Sequence, residues 1–179
     1  MKQFFFLLFT VIILSCNQQS ESTGKIEVVQ NYNDQQELIE KGFLKDGKKV
    51  GAWTTFHTGK DAGRIHTIKN YIDDKIYGTS LTFSNRGQLT HEANYVNDVL
   101  NGRSAKYQWG VTIEEMEYKD GLLTGEYKQY YQNNRKLQKL AHYKEGKLDG
   151  KYEYYSEDGK KVMDYVYKDG EKISGDMIE

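Results

Sequence analysis

The sequence predicts an all-β protein, an elongated antiparallel meander of β-hairpin repeats forming a single twisted sheet of about ten strands. Three observations carry that prediction. The phrase filling residues 143–159, Y-K-E-G-K-L-D-G-K-Y-E-Y-Y-S-E-D-G, recurs from about Leu44 onward, with anchors Leu44, Tyr71, Tyr95, Tyr118, Tyr143 and Tyr167 spaced 27, 24, 23, 25 and 24 residues apart. A period of this size marks a repeat architecture. Turn formers recur in register: Gly47, Asp74, Asp98, Gly121, Gly146 or Gly170 stands three places after each anchor, and each type tolerates a positive φ. An aromatic ring also recurs, at Phe56, Phe83, Tyr107, Tyr130 and Tyr155, five places beyond a second glycine, Gly51, Gly78, Gly102, Gly125 or Gly150.

The spacing then divides itself. A strand of about seven residues, a tight Asp-Gly or Glu-Gly turn, a returning strand and a second turn fill about 24 residues, the length of two antiparallel strands with their hairpins. The second turns fall at Gly59, Gly87, Gly110, Asn133-Asn134 and Gly159. No window between turn signals is long enough for a stable helix. The second glycine sits inside the returning strand, where it costs conformational entropy. An aromatic ring from an adjacent strand, lying flat over that bare backbone, is the expected compensation.

Residues 1–15 read as an export signal: Lys2 supplies the positive end and residues 4–14 an apolar run too short to span a bilayer. Ile13-Leu14-Ser15-Cys16 resembles the lipobox of bacterial lipoproteins, which implies that Cys16 is lipidated and becomes the new N-terminus. Cys16 is the only cysteine, so the exported part has no disulfide to lean on. Residues 17–25 are polar and aperiodic, a tether between lipid and fold. Residues 26–43 admit two readings. Asp34 with Glu37 could cap a short helix ending at Gly42, whereas analogy with residues 137–143 makes the segment before Leu44 a strand, with residues 26–32 as a capping strand; the strand is preferred. Residues 44–179 hold five to six copies. The first is longer, with residues 57–64 as its extra loop, and the last stops after Gly175.

Composition limits function. The chain carries 25 Lys and Arg against 26 Asp and Glu; losing the signal removes Lys2 alone and leaves 24 against 26, net −2. No strong field is present to draw nucleic acid or an acidic membrane. Catalytic signals are lacking: His57, His66, His91 and His142 fall in different copies without ligand spacing, the acidic turns lack the alternate carboxylates of a calcium loop, and no phosphate loop or nucleophile elbow occurs. The sequence therefore points to no enzyme, metal or cofactor. Rings fall on both faces of a strand such as residues 150–155, so neither face reads as a dry two-layer core. The column Phe56, Phe83, Tyr107, Tyr130 and Tyr155 is the one candidate binding face. It either holds the sheet together through cross-strand pairs or stacks on a glycan or a partner protein.

The phrases Y-K-D-G-L-L-T-G-E-Y from Tyr118, Y-K-E-G-K-L-D-G-K-Y-E-Y-Y from Tyr143 and G-K-K-V-G-A-W from Gly47 resemble the variant MORN repeat, which fills proteins grouped as YwqK-like antitoxins of toxin-antitoxin systems. The resemblance covers about residues 42–175. Copies two and three depart from it, with Asp74 and Asp98 for the first glycine and Ser80 and Ser104 for the usual aromatic. It implies MORN-like hairpin repeats, no catalytic residues and a role in binding. Two functional classes follow as expectations: a cell-envelope lipoprotein acting as a protein-binding or scaffold module, outer membrane if the cell is Gram-negative, or an antitoxin or immunity protein that neutralises a toxin by binding it. Expected partners are an envelope protein, a toxin or a glycan, with the membrane met through the lipid and no nucleic acid.

Overall fold

The computed structural model describes residues 24–178. The export signal, Cys16 and nearly all of the tether lie outside the described residues. Within them the chain forms one open antiparallel sheet: β1 Ile26–Tyr32, β2 Leu38–Lys45, β3 Lys48–Phe56, β4 Ile65–Ile72, β5 Lys75–Ile76, β6 Gly78–Phe83, β7 Leu89–Val96, β8 Val99–Gln108, β9 Val111–Lys119, β10 Leu122–Tyr130, β11 Leu137–Lys144, β12 Lys147–Tyr155, β13 Lys161–Lys168 and β14 Glu171–Met177. Each pairs with its neighbour in sequence, except that the stub β5 pairs with β4 alone.

Fourteen strands replace the expected ten or so. Counting two per copy omitted β1, β2 and β14, which flank the array. It also missed that one returning strand is split into β5 and β6 at Tyr77, next to Gly78 with φ +74°. The segment before Leu44 is strand, not helix. Its turn is capped by Asn33, whose Oδ1 accepts from the backbone N–H of Gln35 and Glu37. The extra loop of the first copy lies where the spacing puts it and holds a single 3-10 turn, Gly59–Asp61.

The anchor turns are two-residue hairpins with positive φ at both central positions: Asp46-Gly47, Asp73-Asp74, Asn97-Asp98, Asp120-Gly121, Glu145-Gly146 and Asp169-Gly170. This type I′ geometry matches the twist of the strands and selects Asp, Asn and Gly. The turns are also stitched together. The N–H of Asp74, Asp98, Gly121, Gly146 and Gly170 donates to the carbonyls of Lys49, Ile76, Leu100, Leu123 and Leu148 in the preceding copy. The two departures from glycine have a reason here. Asp74 and Asp98 each accept a further bond on Oδ1, from the N–H of Lys49 and of Ile76, both at 2.7 Å.

The second glycine does something other than expected. Gly51, Gly78, Gly102, Gly125 and Gly150 all have positive φ, from +65° to +117°. In the pairing of β11 with β12, Ala141 faces Tyr152 and Tyr143 faces Leu148, so residues 149–151 stand opposite His142 alone. The glycine is the left-handed residue of a bulge that inserts two residues and re-aims the strand. No phenylalanine, tyrosine or tryptophan ring lies over any of the five; a Cβ would meet Asn94 at Gly102, Glu117 at Gly125, His142 at Gly150, and nothing within 4 Å at Gly51 or Gly78. The ring-over-glycine contact exists elsewhere. A Cβ at Gly42 would lie 2.3 Å from Trp53 Cδ2, so the indole rests on that bare backbone. Gly150→Val is accordingly expected to cost about 2–3 kcal/mol, because a β-branched residue must adopt φ near +117° with a Cβ only 3.0 Å from His142 Cβ. Urea denaturation beside Lys151→Val tests this; equal midpoints would refute the strain.

Most of the buried residues lie on one face, Ala105 and Glu153 being the exceptions. Direct partners in the ladder share a face, as do residues two apart, which places Ser80, Ala93, Ser104 and Met116 in one row and continues it through Tyr127, Ala141, Tyr152 and Tyr165. Ser80, Ala93, Ser104, Met116 and Ala141 in that row are buried, as is Trp53 on the same face. Small residues sink between rings: Ala141 lies between its partners Tyr127 and Tyr152, and the rings meet edge-on or tilted in Trp53–Tyr71, Tyr127–Tyr143 and Tyr152–Tyr167. Burial pushes the Tyr127 phenol up to about 12. The core is thus a tyrosine-rich layer on one side of a single sheet.

Candidate functional site

The predicted ring column lies on the opposite face. Phe56, Phe83, Tyr130 and Tyr155 end the strands β3, β6, β10 and β12, and Tyr107 is the last residue but one of β8. Beside them runs a row of direct partners: Lys41, Thr54, Ile68, Leu81, Glu92, Ala105, Glu115, Lys128, Leu140, Glu153 and Asp164.

The tyrosines of the column are tied down at their tips. Tyr107 donates its O–H to Glu92 Oε2 at 3.0 Å, Tyr130 to Glu115 Oε2 at 3.1 Å and Tyr155 to Glu153 Oε2 at 2.6 Å. Arg103 joins the first two units, with Nη1 at 3.1 Å from Glu92 Oε1 and Nη2 at 2.9 Å from Glu115 Oε1. Ala105, between those two glutamates in the row, is fully buried beneath the network. The hydrogen bond from Arg103 holds the Glu115 carboxyl below its ordinary value, and the same carboxylate raises Arg103 above its own. Where the ring is phenylalanine the partner changes: Lys41 Nζ sits 5.6 Å from the Phe56 centroid. Each polar tip is matched, so the column serves the sheet first, through cross-strand pairs at Tyr107 and Tyr130 and a bond within β12 at Tyr155.

Exposed apolar residues remain on this face in two places: Ile26, Val28 and Phe43 at the β1 edge, and a central patch that the sequence reading missed. Ile72, Val96, Val99 and Leu122 flank the central anchor turns and are exposed large apolar residues. By alternation from Ile68, Glu92 and Glu115 they share the face of the ring column. The equivalent places in other copies hold Lys45, Lys48, Lys75, Lys119, Lys144, Lys147 and Lys168, with Glu171 in the last copy. That contrast was legible once the copies were in register: lysine at one end, branched apolar residues in the middle, lysine again.

Other sequence-level candidates resolve as follows. Gly51, Gly78, Gly102, Gly125 and Gly150 are bulge residues of the framework. His57 and His66 do not fall in different copies as expected: both belong to the first, His57 just past the end of β3 and His66 in β4, with ring centroids 4.6 Å apart. Burial, followed by the charge of His57, pushes His66 down. Among the described residues no three histidine, cysteine, aspartate or glutamate side chains are grouped to hold a metal ion. Cys16, the lipidation candidate, lies outside the described residues. No protein-family model matches the chain, and no curated protein matches it.

Proposed function

We propose that this chain is a non-enzymatic binding module of the cell envelope, anchored by a lipid on Cys16, which docks a partner protein on the ring-column face. The single observation behind this reading is the exposed patch Ile72, Val96, Val99 and Leu122, apolar at places where neighbouring copies carry lysine. Exposed apolar residues grouped on one surface mark interaction sites. Among the described residues the 14-stranded open sheet has no second layer to cover them, and Lys75 and Lys119, which alternate with them along the row, suit a transient interface that mixes apolar and charged contacts. The variant MORN-repeat resemblance agrees with a binding role and keeps the antitoxin alternative within the same mechanism, neutralisation by binding.

The test is a crosslinked pull-down from the native cells with full-length tagged protein. Val99→Lys with Leu122→Lys uses residues the array already carries at these places, so folding is retained. Loss of one dominant captured protein in that variant supports the reading; unchanged capture removes the patch from the interface. If the captured protein arrests growth when expressed alone and is silenced by this chain, the module is an antitoxin. Cys16→Ser is expected to move the protein from the membrane to the soluble fraction, and retention on the membrane would refute the anchor.

A further inference from the structure

The long edge opposite the anchor turns carries an exposed tryptophan that the framework does not need. Five of its six connections are longer loops, but β8 and β9 are joined by a two-residue turn, with Gln108 paired to Val111. Its central residues are Trp109 and Gly110, at φ +54° and +76°. A type I′ turn favours asparagine or aspartate before the glycine, and a large ring in the left-handed region is strained. Trp109 is also 64% exposed. Strain and exposure together, with no core contact in return, are the signature of a residue kept for a ligand.

The surroundings are built to match. The Arg86 guanidinium carbon lies 5.5 Å from the indole centroid. Its loop is fixed from both sides. Ser84 Oγ accepts from the N–H of Arg86 and of Gln88, while Asn85 donates to Asp61 Oδ2 at 3.0 Å and accepts on its carbonyl oxygen from Arg64. The extra loop of the first copy is therefore a brace for the loop that carries Arg86. Between the two connections runs an open groove, lined among others by Arg86, Gln88, Tyr107, Gln108 and Trp109 and by no carboxylate.

We propose that this groove binds a saccharide bearing a carboxylate. The C–H face of a pyranose stacks on the indole, the side-chain amides of Gln88 and Gln108 bond its hydroxyls, and Arg86 pairs with the acid group. A proline-rich peptide is a poorer match, because such segments take grooves lined by several aromatic rings, and here the only ring beside the indole is Tyr107, whose hydroxyl is already tied to Glu92, among amides, small polar residues and a guanidinium. The site lies on the other edge of the sheet from the patch that docks a protein, so either can fail without the other.

The chain has two tryptophans, so its nitrogen-edited NMR spectrum has two indole N–H signals. Trp53 is tied to the Phe43 carbonyl; Trp109 is the reporter. Titration with galacturonate and mannuronate trimers is expected to shift the Trp109 signal saturably and leave that of Trp53 in place. Trp109→Asn should weaken binding roughly tenfold or more and, by installing the preferred Asn-Gly turn, raise the melting temperature. Arg86→Gln should abolish the preference for these acids over cellotriose. The proposal is overturned if none of the sugars binds, if only a proline-rich peptide shifts Trp109, if binding survives Trp109→Asn, or if that variant is less stable than the parent.

Discussion

Replacing Trp53 with alanine is expected to cost about 3–5 kcal/mol, the largest loss from any single side chain in the N-terminal part of the sheet. The indole is 3% exposed. Its N–H donates to the Phe43 carbonyl at 3.1 Å, its ring rests on Gly42 and meets Tyr71 edge-on, and Lys49 Nζ lies 3.9 Å from a ring centroid. Truncation opens a cavity over a glycine that has no side chain to refill it. Each unit of the array touches only its neighbours, so the damage should stay local. Hydrogen exchange in β1 to β3 is expected to accelerate while β9 to β13 keep their protection. Trp53→Phe, which keeps a ring over Gly42 but loses the donor, should fall between the two. Loss spread evenly from β1 to β14, or no loss at all, would refute both the role of the contact and the nearest-neighbour picture.

How far the sequence could be read depended on whether a residue has one physical use or two. The Asp-Gly and Glu-Gly turns were legible because positive φ at two successive places has few other causes, and the 24-residue period follows from them. An in-strand glycine has two uses with the same sequence signature. It can adopt positive φ, or it can let a ring approach the backbone. Spacing cannot separate them. Gly125 and Gly150 use the first and Gly42 the second, where Trp53 is the ring.

The hydroxyl partners of the ring column were nearer to legible. Tyr107 and Tyr130 each stand 15 residues after the glutamate that accepts from them. The same step back from Phe56 and Phe83 reaches Lys41 and Ile68. Tyrosine goes with a carboxylate and phenylalanine without one, a regularity inside one chain that needs the register to be seen. At Tyr155 that step reaches Leu140, and the ring turns instead to Glu153 on its own strand.

That substitution makes Glu153 the place where the ring-column face depends most on charge, and it gives the second large expected effect. Glu153 is 4% exposed. Its carboxylate accepts from Lys161 Nζ at 2.6 Å and from the Tyr155 O–H at 2.6 Å. Burial alone would push its carboxyl up, yet the bonds from Lys161 and Tyr155 outweigh burial and hold it below the ordinary 4.5. A depressed carboxylate contributes stability that is complete above the unfolded value, and it is lost as pH falls through the folded one. The parent protein should therefore begin to lose this contribution below about pH 4.5.

Lys161→Met keeps the stem and removes the cation. It is expected to cost about 2–3 kcal/mol at pH 7, less than a fully enclosed pair because Lys161 is itself 31% exposed. In this variant burial wins, the Glu153 carboxyl moves above its ordinary value, and the sign reverses: protonation now relieves the folded state. The gap between parent and variant should thus narrow as pH falls from 7 to 4, and adding Glu153→Gln should restore much of the loss at pH 7. Urea midpoints of the three proteins at both pH values decide the matter. A gap that stays constant with pH would mean that Lys161 acts through packing of its stem, and that the buried carboxylate is held by Tyr155 alone.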